Sequence, residues 1–147
     1  MKSELFNQIS FHDSEIKDYK KDDNNIILLI KDGWLPNTYF KVKLKNVKVE
    51  VMNNNKELIS YTLERFNNIF KNGVGHRITH GIIDNYDNDK YYLKLFIYWP
   101  DNTILKNQNI MDKYEFDGFN VSLCNDYNDT GYLYIKFIMD DIDVVNF

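Results

Sequence analysis

Histidine is the side chain best suited to moving protons near neutral pH, and this chain holds three: His12, His76 and His80. His76 and His80 stand four apart in Gly75-His76-Arg77-Ile78-Thr79-His80-Gly81, the spacing by which a helix turns two imidazoles toward one metal ion. The flanking glycines and the β-branched Ile78 and Thr79 argue against a helix, no Glu follows His76, and no third ligand is indicated. On a strand the even spacing still leaves both rings on one face, so weak metal binding stays open, but the pair reads as structural or solvent-exposed and no metal is assigned. The single Cys124 ends the strand pattern of Val121 and Leu123 with no positive neighbourhood to activate it, and reads as a half-buried structural thiol. Asp126, Asn128, Thr130 and Gly131 open like a calcium loop, yet Phe137 occupies the closing position that requires a bidentate Glu. No catalytic residue and no cofactor is assigned.

The acidic positions are more suggestive as a contact surface. Asp84, Asp87 and Asp89 surround Tyr86, and Asp126 and Asp129 surround Tyr127; tyrosines set among carboxylates make a usable partner-binding patch. These seven residues are the candidate binding set. Lys41, Lys43, Lys45 and Lys48 form a basic stripe that reads as the solvated face of an edge strand, where lysines discourage unwanted pairing.

The elements that must carry these residues are mostly strands. Glu15 to Tyr19 and Asn25 to Lys31 form a hairpin around a polar turn, and the continuous apolar run Ile26 to Ile30 predicts a central strand covered on both faces. From Tyr39 the pattern alternates, with Phe40, Val42 and Leu44 on one side and the lysines on the other. The apolar parity then moves to Val47, Val49 and Val51, so Asn46 marks a bulge or turn. Ile59, Leu63, Phe66 and Phe70 recur at helical intervals and predict one helix from about Lys56 to Lys71, capped by Asn55. Further strand-like runs cover Arg77 to Ile83, Lys90 to Trp99, Lys113 to Cys124 and Tyr132 to Val145. Strands with one helix inserted predict an α+β fold, a largely antiparallel sheet of about six or seven strands with one central helix. The absence of any linker or repeat predicts a single domain over residues 1–147.

Composition limits the function classes. Hydrophobic residues make up 44% of the 147 and aromatics 16%, enough for a core without staples. The net charge of −4 disfavours coating nucleic acid, which requires a clustered positive field. One cysteine, a polar N-terminus and no apolar run near membrane-spanning length predict a cytoplasmic protein with no membrane or nucleic-acid partner.

Phe11-His12-Asp13-Ser14-Glu15-Ile16, leading into a polar hairpin and a second apolar strand, resembles the opening of several small bacterial families, among them immunity proteins of polymorphic-toxin systems. The resemblance covers about the first third of the chain. It implies a non-enzymatic, β-rich protein that neutralises a cognate toxin by binding it, here by occluding the basic cleft of a nuclease with its acidic surface. Read from its residues, His12-Asp13-Ser14 fixes a turn at a strand start, with Asp13 accepting backbone N–H bonds. The alternative function is a small-ligand module whose pocket is lined by Trp34, Trp99 and tyrosines; an enzyme would need a histidine to meet a carboxylate or Cys124 inside a cleft.

Overall fold

The computed structural model describes residues 11–52, 57–71, 74–87, 89–99, 113–116, 119–122 and 131–146. Among the described residues eleven strands and one helix follow in order: β1 (Ser14–Asp22), β2 (Asn25–Lys31), β3 (Tyr39–Lys45), β4 (Lys48–Met52), β5 (Leu58–Tyr61), α1 (Leu63–Phe70), β6 (Arg77–Asp87), β7 (Lys90–Trp99), β8 (Lys113–Phe116), β9 (Phe119–Ser122), β10 (Gly131–Met139) and β11 (Asp141–Asn146). Nine of the strands make one antiparallel sheet in the order β11-β3-β2-β1-β6-β7-β10-β4-β5, and β8 and β9 pair separately. The expected six or seven strands around a central helix are therefore corrected to a β-rich fold with one short helix.

Two features of the chain explain the difference. Ile59 fits a helical interval, but Leu58 to Tyr61 instead pair with β4 as a strand, Val51 opposite Ile59 and Val49 opposite Tyr61. The helix begins only after Thr62, whose side-chain oxygen accepts from the N–H of Arg65 at 3.2 Å and so caps it in place of Asn55, which lies outside the described residues. The second feature is bending. The runs Tyr39 to Met52 and Gly131 to Asn146 each break into two strands, the first at Asn46 and Val47 and the second at Asp140.

Both breaks belong to one corner. Lys45 pairs with Asp141 on one side of it and Lys48 with Ile138 on the other, so a single register runs through the bend, with Asn46 opposite Asp140. Asn46 takes a left-handed φ of 53°, which a non-β-branched polar residue tolerates and which moves the inward positions from Leu44 to Val47. The N–H of Asp140 donates to Lys45 O at 3.1 Å, and its carboxylate accepts from the Asn46 amide and the Lys90 ammonium, which together hold that carboxyl below its usual range. The β1–β2 turn braces the same corner: Val47 N–H donates to Asn24 O at 2.8 Å and Asn46 N–H to Asn25 Oδ1 at 3.0 Å. Hydrogen-bonded neighbours then run β3-β2-β1-β6-β7-β10-β4 and return through the corner to β3. The sheet rolls around one core.

That core draws on every part of the circuit: Ile26, Leu28 and Ile30 from β2, Val42 and Leu44 from β3, Leu93, Leu95 and Ile97 from β7, and Phe137 and Met139 from β10. Each fully buried side chain of this size contributes about 1.5–3 kcal/mol of transfer free energy. β2 is an inner strand as expected, but only alternate residues are fully buried; Ile27 and Leu29 are half-exposed on the outer face. Helix α1 closes the roll with Phe66 and Phe70, one turn apart and stacked at 4.8 Å, the first packing edge-on to Phe137 at 5.5 Å. Tyr19 stands edge-on to both helix rings, its buried hydroxyl has no hydrogen-bond partner among the described residues, and burial pushes its pKa up to about 12. Among the described residues no helix is long and apolar enough to cross a membrane.

Opposite consequences are expected at the helix contact. Phe66→Ala leaves a cavity between α1 and β10 and costs about 3–5 kcal/mol in urea unfolding. Tyr19→Phe removes an unsatisfied buried hydroxyl and raises stability by about 1 kcal/mol; a loss of that size would mean the hydroxyl has a partner after all.

Candidate functional site

The hexapeptide at the start of β1 forms a tight turn. Ser14 donates to Phe11 O twice, through its backbone N–H at 3.1 Å and its hydroxyl at 2.6 Å, and Asp13 takes a left-handed φ of 58°. Phe11 and Ser14 are buried, while His12 and Asp13 are held outward. The expected turn is present, but Ser14 rather than Asp13 makes its backbone bond, because the Ser14 hydroxyl lies inside against Phe11 O. Phe11 sits edge-on to Phe40 at 5.6 Å, in a space kept open by Gly81, where a Cβ would lie 2.6 Å from Phe11 Cβ.

His12 is held through one ring nitrogen. Nδ1 lies 2.8 Å from Thr79 O; a carbonyl only accepts, so Nδ1 carries the proton. Nε2 lies 3.3 Å from the Asp13 carboxylate. Thr79 can offer its carbonyl because it is a bulge: Ile78 pairs with Ile97 and His80 with Phe96, leaving Thr79 as the extra residue, its hydroxyl donating to Phe96 O at 3.0 Å. The same bulge corrects the expectation that His76 and His80 share a face, because it interrupts the alternation of β6 between them.

His80 meets His12 instead. Their ring centres are 4.9 Å apart, and the Trp34 ring stacks on the other side of His12 at 6.0 Å and 20°. Trp34 comes from the β2–β3 loop, which is itself rigidly built. Asp32 Oδ1 accepts from the N–H groups of Trp34 at 2.8 Å and Leu35 at 3.1 Å, and Asp32 N–H donates to Thr38 O at 2.9 Å. Gly33 lets this loop touch the His12–Asp13 turn: a Cβ there would lie 2.2 Å from Asp13 O. The result is a knuckle on which Trp34 is 66% and Leu35 58% exposed, although both are large and apolar. Beside it a polar groove of about 330 Å³ is lined by Asp13, Glu15, Lys31, Asp32 and Arg77 with Gly33 and Gly75.

The acidic set predicted for partner binding lies elsewhere. Asp84 and Asp89 are exposed on the β6–β7 hairpin, at the opposite end of β6 from His80. Tyr86 and Asp87 lie in β6, but where their side chains point is outside the described residues, as are Asp126, Tyr127, Asp129 and Cys124 entirely. Lys41, Lys43 and Lys45 are solvent-facing as expected, yet β3 is no edge strand, since β11 covers its free side. Among the described residues no group of three His, Cys, Asp or Glu side chains could hold a metal ion. Sequence reasoning missed the approach of His12, Trp34 and His80, because only the β1–β6 register, Ser14 opposite Ile78, brings position 12 alongside position 80. Compared with family models, curated proteins and solved structures, the chain matches none.

Two outcomes follow from this geometry. Gly33→Ala forces the loop off the turn and costs about 1–3 kcal/mol by thermal or urea unfolding, whereas an unaltered midpoint would show that the contact is loose. Burial, with His12 beside it, lowers the pKa of His80 below its ordinary 6.5, while Asp13 acts in the other direction. A histidine held neutral by the fold takes its proton more readily once unfolded, so its stabilising contribution is present above about pH 6.5 and is lost as the pH falls through the folded value. The melting temperature of the native chain therefore drops more steeply on acidification below neutrality than that of His80→Gln; parallel curves would contradict the assignment.

Proposed function

We propose that this chain is a non-enzymatic binding protein of the cytoplasm, of the immunity or antidote type, which neutralises a toxin by covering its active site. One observation carries the reading: an exposed tryptophan on a loop whose backbone is already locked, by Asp32 from within and by the His12–Asp13 turn from behind. Aromatic anchors held in their bound geometry bind tightly because little side-chain and loop entropy is lost on docking. Exposure of Trp34 and Leu35 together has no role in the chain's own core. The resemblance of Phe11 to Ile16 to immunity proteins supports the toxin as partner, and the structure gives those residues work that fits: they build the support of the knuckle. This reading places the anchor there, and not on the acidic hairpin of Asp84 and Asp89.

His12 and Asp13 meet beside a groove, which is the arrangement a catalytic reading would require. With Nδ1 engaged by Thr79 O, the ring is fixed in place against Trp34, which is the support that the binding reading requires. The small-ligand reading gains less, because Trp34 stands on the surface, and the larger groove of about 570 Å³ on β1–β3 has one aromatic residue, Tyr39, in its lining.

The test is co-expression with the product of the adjacent gene. A tight complex burying about 1,200–2,000 Å² in total is expected, with protection of the host cell. Trp34→Ala should weaken it by about 2 kcal/mol or more while leaving the melting temperature unchanged. A neighbour product that neither harms cells nor binds this chain would falsify the proposal.

A further inference from the structure

The alternation that sends Ile26, Leu28 and Ile30 into the core turns Ile27 and Leu29 outward, onto a face that no element among the described residues covers. Strand registers arrange this face in rows. Lys20 lies opposite Ile27 and Ile27 opposite Lys43; Asp18 opposite Leu29 and Leu29 opposite Lys41; Glu15 opposite Lys31 and Lys31 opposite Tyr39, with Arg77 on the far side of Glu15. The groove of about 570 Å³ runs over Ile27 and Leu29 between Asp18, Lys20, Tyr39 and Lys41. Its Tyr39 end reaches Lys31, where the polar groove below the Trp34 knuckle begins.

The charge on this face opposes that of the whole molecule. Lys20, Lys31, Lys41 and Lys43 stand next to the apolar floor with Asp18 and Glu15, and the outer positions of the same rows add Lys45 and Arg77 with Asp22, Asp141 and Asp143, so that six cations meet five carboxylates on a chain of net charge −4. Glu15 is further engaged by Lys17 at 3.2 Å, and across β3 the carboxylates of Asp141 and Asp143 are engaged by Lys45 at 3.7 and 3.2 Å. An apolar strip rimmed by cations complements a protein surface that presents one aliphatic or aromatic side chain among carboxylates. Nucleic acid fits less well: the floor of Ile27 and Leu29 is aliphatic, where bases would require stacking rings.

We infer that the outer face of β1, β2 and β3 docks an acidic segment of a protein partner, seating an apolar side chain on Ile27 and Leu29, with the Trp34 knuckle closing one end of the same surface. The inference rests on the binding reading above and assigns this face a partner surface of the opposite sign to the one expected from net charge, an acidic one.

Two labelled peptides test it by fluorescence polarisation at low ionic strength: one of about ten residues with Asp and Glu around a central Phe, the other its Lys-substituted isomer. The acidic peptide is expected to bind at least about tenfold more tightly, and added salt to erode the difference. A Lys20→Glu, Lys41→Glu, Lys43→Glu variant, shown to be folded by circular dichroism, should lose the preference. Equal affinity for the two peptides, a preference that survives the triple variant, or a short DNA duplex binding more tightly than the acidic peptide would each overturn the inference. Failure of the adjacent gene product to bind would remove the toxin reading and leave the peptide result standing. Binding of that product without any peptide preference would remove only the acidic-segment assignment.

Discussion

One antiparallel ladder, bent once at Asn46 and Asp140, holds the two halves of this sheet over a single core. Its register does not change through the bend, so the residues that face inward on β3 and β11 hand over to those that face inward on β4 and β10. The left-handed backbone of Asn46 makes that exchange of faces, and the Asp140 carboxylate secures it by accepting from Asn46 and Lys90. Without the corner, β3 and β10 would present their apolar faces in different directions and the rings of α1 would have no cavity to fill.

The same logic operates at the other end of the roll, where the closing contact between β1 and β6 is short. Only Ser14 and Glu15 pair in the sheet register, continued by Ile16 against His76 and Gly75. Beyond Ser14 the chain turns away, and side chains replace backbone in holding the seam: His12 to Thr79 O, and Phe11 into the space left by Gly81. The seam therefore leaves imidazoles outside and a phenyl ring inside. Trp34 is held against it because Gly33 permits a contact that any larger residue would forbid. A surface feature rigid enough to act as an anchor is, in this account, a by-product of closing the sheet.

The strands β1 to β4 and the parity break at Asn46 are legible in the sequence because half-buried strands write a period of two into it, and a face change interrupts that period. The strand total is not, since Tyr132 to Val145 reads as one run although Asp140 bends it into two. Helix α1 is legible from Leu63, Phe66 and Phe70, but Ile59 shares its spacing by coincidence while pairing as a strand, so periodicity alone doubles the helix length. The turn at Phe11 to Ser14 could be read from its residue types, whereas the meeting of His12, Trp34 and His80 depends on a register between distant segments and a bulge at Thr79, which leave no local trace. Net charge averages over faces and does not show that lysines line the rows around Ile27 and Leu29.

The central claim is that the Trp34 knuckle is built before any partner arrives. Amide hydrogen exchange of the free protein measures this most directly, at the N–H groups of Trp34 and Leu35. The account predicts that both exchange well below the rate of an unstructured peptide, because Asp32 holds them, and that both speed up in Asp32→Ala. Exchange at the unstructured rate in the native chain would contradict it, leaving a tryptophan on a loose loop in place of a preformed anchor.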